Sequence, residues 1–183
     1  MTVTQPSGAG PAQDSGAPRW LDEEERAAWL SILRVTSTLP AALDVQLERD
    51  EDLNYFEYIV LAMLSEQPGL VLRMSQLAAV TNASLSRLSH VAKRLEGRGL
   101  MRREPDPHDG RAINAFLTET GLAKVRRAAP GHVAEVRSLV LDALSPAQLR
   151  QIRAANDAIL ARIDPDASTQ PITPPGSPEG TGP

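Results

Sequence analysis

No cysteine occurs anywhere in the 183 residues. That excludes disulfides, thiolate metal sites, cysteine nucleophiles and thiol redox sensing, and it suits a reducing compartment. Apolar runs approaching the ~20 residues that span a bilayer are also missing, so no membrane role is expected. Residues 1–18, MTVTQPSGAGPAQDSGAP, have neither a basic start nor an apolar run, so no secretory signal is read there and a cytoplasmic protein is expected. Histidine is scarce: His90, His108 and His132 are scattered, with no His-x-x-x-His or His-Glu-x-x-His spacing for a metal. The sequence lacks Gly-x-Ser-x-Gly, a phosphate-cradling glycine loop and a dinucleotide fingerprint. The expectation is no enzyme, no cofactor and no metal.

What is present fits one domain, with 42% apolar residues to build a core. The net charge of −4 argues weakly against a nucleic-acid partner, but its distribution reverses that. From Trp20 to Leu72 there are eleven acids and three bases; from Arg73 to Arg127 there are eleven bases and five acids. A basic block inside an acidic chain is the footprint of a DNA-binding module. Seventeen of the nineteen bases are arginine, the side chain best matched to phosphates and guanine edges. High-GC codon bias explains the arginine excess equally well, though not its placement.

The chain is organised around Arg73 to Thr118. Met74, Leu77 and Ala78 share one face of a short helix, and Thr81-Asn82-Ala83 makes a turn. A longer helix then puts Leu85, Leu88, Val91 or Ala92, and Leu95 on its core side. Its other side carries Ser84, Ser86, Arg87, Ser89, His90, Lys93 and Arg94, short hydroxyls and cations able to meet base edges in a major groove. Gly97 and Gly99 bracket Arg98 where the stripe stops. Leu100 to Glu104 and Ala112 to Leu117 read as strands around an extended tip, Pro105 to Arg111. Ile113, Ala115 and Leu117 share one strand face, with Phe116 on the other. The fold class is therefore mainly α with a small β-hairpin wing, a winged helix-turn-helix.

The run SLSRLSHVAKRLEGRGLMRREPDPHDGRAINAFLTETG resembles the DNA-binding core of the MarR (multiple antibiotic resistance regulator) family of bacterial transcription regulators. The resemblance is carried by Arg-Leu-Glu followed by Gly-Leu, the Asp109-x-Arg111 pair and Leu117-Thr118, and it extends more weakly over Leu21 to Ile163. It implies a symmetric homodimer on a pseudo-palindromic double-stranded DNA operator, with recognition helices in successive major grooves and wings at the minor groove. The expected function is a sequence-specific transcriptional regulator acting as a repressor, with a small-molecule effector of unknown identity. A winged helix used only as a protein-interaction module is the alternative. Candidate DNA contacts are Ser84, Ser86, Arg87, Ser89, His90, Lys93 and Arg94 on the helix, together with Arg73, Arg103, Asp109 and Arg111. Asp109 could orient the Arg111 guanidinium, stabilise the turn, or only form a surface ion pair with it. For His90 a base contact and a plain solvent-facing residue weigh about equally.

The DNA-binding core is placed at about 54–118, between terminal helices at about 21–50 and 119–163 that are expected to dimerise. Asp22 with Glu25 and Asn54 with Glu57 form capping boxes, and Phe56, Ile59, Val60, Met63 and Leu64 are core positions of the second helix. Pro40 predicts a kink or break near Thr36 to Pro40, with Thr38 as candidate cap of a second segment. Thr118 caps a helix to about Leu144 with an interruption at Pro130-Gly131, and Ser145 caps the last helix. Leu21, Trp29, Leu33, Val136, Leu139, Val140, Leu144, Ile152 and Ile159 exceed what one small core can cover, which favours a dimer over helices folded back on their own core. Residues 1–18 and 164–183 read as disordered tails.

Without a thiol, mild peroxide should leave DNA binding unchanged in a gel-shift assay. A reversible release at low dose would instead assign redox sensing to Met63, Met74 or Met101.

Overall fold

The computed structural model describes residues 18–164, so the two expected tails lie outside the described residues except for Pro18 and Asp164. Six helices and three strands run in the order α1 (Glu23–Glu51), α2 (Tyr55–Ser65), β1 (Val71–Arg73), α3 (Met74–Val80), α4 (Leu85–Gly97), β2 (Met101–Asp106), β3 (Asp109–Leu117), α5 (Glu119–Val136) and α6 (Pro146–Ile163). The chain divides into two compact units at Thr36/Ser37.

In the first unit Asp22 caps α1: the Glu25 amide donates to Asp22 Oδ1 (2.8 Å) and the Asp22 amide to Glu25 Oε2 (3.0 Å). Trp20, Leu21, Trp29 and Leu30 are all exposed there, Trp20 at 83%. The expected break at Pro40 is absent, because α1 runs unbroken through Pro40 and Thr38 lies inside it. A proline removes a single hydrogen bond, and 29 residues of regular helix tolerate that loss.

In the second unit the core forms around α2, which is buried nearly all round, Tyr58, Leu61 and Ala62 included. Phe56 and Ile59, expected inside, are only partly buried. The capping box at Asn54 and Glu57 is present. The helix-turn-helix takes its shape from two matching helix ends. After α3, Asn82 adopts φ 49°, the Ala83 amide donates to the Ala78 carbonyl (2.9 Å) and the Asn82 amide to that of Ala79 (3.1 Å). After α4, Gly99 adopts φ 68°, with Leu100 N–H on Leu95 O (3.0 Å) and Gly99 N–H on Glu96 O (2.9 Å). Both are six-to-one closures whose left-handed residue must be glycine or a tolerant asparagine. Leu88, Val91, Ala92 and Leu95 are buried, as the stripe requires, but Leu85 is 54% exposed. Helical side chains lean toward the N-terminus, so this first-turn leucine overhangs the turn instead of the core.

β3 is the central strand of an antiparallel sheet ordered β1-β3-β2. β1 has no sequence signal, since three residues are too few for alternation to register. The hairpin is tighter than expected: only Pro107 and His108 lie between the strands, and Pro105 sits on the edge strand β2 opposite Ile113, where proline costs no ladder bond. Ala115 and Leu117 are buried, whereas Ile113, expected with them, is exposed because β3 is there still in the wing and reaches the core only at Ala115.

Thr118 caps α5, accepting the Gly121 amide (3.0 Å) and donating to the Gly99 carbonyl (2.7 Å). The interruption expected at Pro130-Gly131 is not there, because α5 passes through both residues. Gly131 serves a close approach, since a Cβ there would lie 3.1 Å from Gln46 Nε2 of α1. The irregularity falls later, as a π-turn over Arg137–Leu141. Ser145 caps α6 in a full capping box, yet α6 buries none of its residues.

A Cβ on Gly121 would fall 1.9 Å from the Leu100 carbonyl oxygen, an atom of backbone that cannot step aside. Gly121→Ala should therefore cost ~1–3 kcal/mol or more, lowering the thermal midpoint by several degrees. Gly97→Ala, which meets nothing within 4 Å, should be neutral or slightly stabilising. Equal melting of the two variants would contradict this packing.

Candidate nucleic-acid interface

Of the candidate contacts, Ser86, Ser89 and Lys93 recur at helical spacing along one exposed stripe of α4, and their side chains have no bonding partner among the described residues. His90 lies beside this stripe, also exposed and without a bonding partner among the described residues. Ser84 is the N-cap of α4, its Oγ accepting the Arg87 amide at 3.2 Å. Arg87 lies with its guanidinium carbon 4.2 Å from the centre of the Phe56 ring. Arg94 is bonded inward, Nε to Glu57 Oε1 at 3.1 Å.

Glu57 was read from sequence only as a capping residue. It is 5% exposed and is the hub beneath α4. Its Oε2 accepts the Asn54 amide (3.2 Å) and Arg98 Nη1 (3.5 Å). Arg98 in turn holds the carbonyl and the carboxylate of Asp52. These partners lie about forty positions apart in sequence, with no local motif to reveal them; complementary charge blocks are the only signal.

Arg103 and Arg73 are likewise committed to protein carboxylates. Arg103 reaches Glu96 Oε2 with Nε (2.8 Å) and Nη2 (2.6 Å), and its amide donates to Glu96 Oε1 (2.7 Å). That fastens the base of the wing to the end of α4. Arg73, at the end of β1, contacts Asp106 (3.2 Å) and Asp109 (3.6 Å) across the hairpin. Asp109 accepts the Arg111 backbone amide (3.2 Å), so it holds the turn, and the Arg111 guanidinium itself is exposed and has no partner among the described residues. Arg102 lies over Phe116 and pairs with Glu104 on the wing surface. Among the lysines and arginines of α4, β2 and β3, only Arg87, Lys93 and Arg111 lack an acidic partner among the described residues.

Two open grooves border α2. One, of about 530 Å³, is lined by Asp44, Tyr55, Phe56, Arg87, His90 and Arg94 among others; the second, of about 520 Å³, runs between α2 and α5 past Leu122, Val125 and Val133. Buried His132 packs its ring 4.5 Å from that of Tyr58, and burial holds its pKa below the usual value. Among the described residues no cluster of histidine and acidic side chains is placed to hold a metal ion, and no helix is long and apolar enough to cross a membrane.

Residues 51–112 match the family model described as MarR family. Among solved structures, the chain is similar to Sco3205, a MarR family transcriptional regulator from Streptomyces coelicolor in complex with DNA: 39% identity over 82% of this chain and 94% of that one, TM-score 0.79. It is also similar to AbsC, a MarR family transcriptional regulator from the same organism, at 39% identity over 81% and 99% of the chains, TM-score 0.76. CouR from Rhodococcus jostii RHA1, bound to p-coumaroyl-CoA, shares the fold at 24% identity, 75% and 92% coverage and TM-score 0.63. No curated protein sequence matches significantly.

Asp106 is held below the usual carboxylate pKa of 3.8, first by the His108 amide and then by Asn114 and Arg73. A lowered pKa means that this support is fully present above 3.8 and is lost as the pH falls through the lower, folded value. The wing turn should stay intact at neutral pH and loosen only under stronger acid. The His108 amide resonance followed by NMR should titrate with a midpoint below 3.8; a midpoint at or above it would remove Asp106 from the turn.

Proposed function

Because this chain belongs to the MarR family of transcriptional regulators, we propose that it works as a homodimeric, sequence-specific DNA-binding repressor in the cytoplasm. The observation that carries this reading is the selective pairing of charge. Acids neutralise Arg73, Arg94, Arg98, Arg102 and Arg103, while Arg87 and Lys93 on α4 and Arg111 on the wing keep unpaired charge on exposed side chains. In this reading α4 enters a major groove, where Ser86, Arg87, Ser89, His90 and Lys93 meet base edges, and Arg111 enters the neighbouring minor groove. Ser84, Arg73, Arg94, Arg103 and Asp109 shape that surface. The relative solved with DNA, Sco3205, supports it.

Dimerisation is supported by α6, an 18-residue helix with no fully buried residue on its own chain although it carries Ile152, Ile159, Leu160 and Ile163. Isolated helices of this length are marginal in water, so its apolar face needs a cover, and a second copy is the simplest. A small-molecule effector belongs to the same reading: CouR is solved with a ligand, and the 530 Å³ groove here touches Arg87 and His90. Such an effector acts only by binding the DNA-competent and incompetent states unequally.

The test is binding to an operator duplex, recovered by selection from random DNA, and to scrambled DNA at several salt concentrations. Wild type should prefer the operator by about 10³-fold or more. Arg111→Ala should weaken both complexes and lower the salt slope by about one unit. Replacing Arg87 or Lys93 should relax preference at single base pairs by ~1–3 kcal/mol. A wild-type protein without preference would leave the winged helix as a protein-interaction module.

A further inference from the structure

Phe56 and Glu57 are neighbours in the first turn of α2, and each holds one arginine of α4. Phe56 lies under the Arg87 guanidinium at 4.2 Å, and Glu57 accepts Arg94 Nε at 3.1 Å. Arg87 and Arg94 are seven residues apart, two turns along the same face, so the two grips together fix the rotation and tilt of α4 against α2.

The grips differ in chemistry. Glu57 is buried and shares its carboxylate among Arg94, Arg98 and the Asn54 amide, so the charge of Arg94 is neutralised within the protein. Phe56 is half-buried and uncharged. A guanidinium stacked on a ring face loses rotamer freedom but keeps its charge and all of its in-plane donors. An arginine free in solvent would have to be ordered when it meets a base, at a cost in conformational entropy that the stack removes beforehand.

We propose that Phe56 is a positioning residue for base reading: its ring pre-orients Arg87, while the Glu57–Arg94 pair fixes the helix beneath it. This rests on the DNA-reading role of α4 and adds to it a determinant of specificity outside the recognition helix. It also makes Arg94 an anchor of that helix and not a reader.

The test uses the full chain with the selected operator duplex and a scrambled duplex of equal composition. Phe56→Leu keeps the apolar bulk and removes the ring; Phe56→Tyr keeps a ring; Arg87→Lys keeps the charge and cannot stack in the same way. Phe56→Leu should weaken operator binding roughly three- to tenfold, with scrambled DNA bound as before. Phe56→Tyr should restore the operator affinity. The losses from Phe56→Leu and Arg87→Lys should not add when the two are combined, because either one alone breaks the stack. Fully additive losses, or an equal loss on both duplexes, would make Phe56 a support of the fold and overturn the proposal. A wild-type protein that binds both duplexes alike overturns the DNA-reading role itself, and this inference with it.

Discussion

A buried carboxylate needs partners or it must be neutralised, and Glu57 has three: the Asn54 amide, Arg94 and Arg98. That requirement joins the start of α2 to the last turn of α4 and to its C-cap, and through Arg98 and Asp52 it reaches the loop after α1. Helix α4 is thus seated by a desolvated charge as well as by apolar packing through Leu88, Val91, Ala92 and Leu95. Removing both arginines would leave the Glu57 carboxylate unpaired in the interior, which ties the seating of α4 to the integrity of the fold.

The same logic organises the wing. Glu96 takes two nitrogens of the Arg103 side chain together with its backbone amide, so β2 leaves α4 at a fixed angle. Thr118 and Gly121 clamp α5 against the residues that end α4. Arg73 bridges Asp106 and Asp109, bringing β1 to bear on the hairpin turn. Each of these arginines meets a carboxylate, whereas Arg87, Lys93 and Arg111 have no acidic partner among the described residues.

Features that depend on near neighbours were legible in the sequence. The caps at Asp22, Asn54, Thr118 and Ser145, the turn at Thr81 to Ala83 and the stop at Gly99 follow from local hydrogen-bonding chemistry. Proline was over-read as a helix breaker twice: Pro40 and Pro130 each lie inside a continuous helix, where one lost bond is absorbed by the surrounding turns. Strand β1 escaped notice because its partner, β3, lies more than forty residues away. Periodicity shows which face Arg73, Arg94 and Arg103 occupy but not which acid lies across the gap from each. The fold and the placement of α4 were legible; which arginines meet protein carboxylates was not.

The central claim is that α4, seated by Glu57, reads DNA from the major groove as one half of a symmetric pair. Dimethyl sulfate probing of the bound operator tests it most directly, since the reagent methylates guanine N7 in the major groove and adenine N3 in the minor groove. The account predicts two patches of guanine N7 protection about one helical turn, or a multiple of it, apart on one face of the duplex, with adenine N3 protection beside them at the wings. Protection confined to adenine N3, or a single unsymmetrical patch, would contradict it.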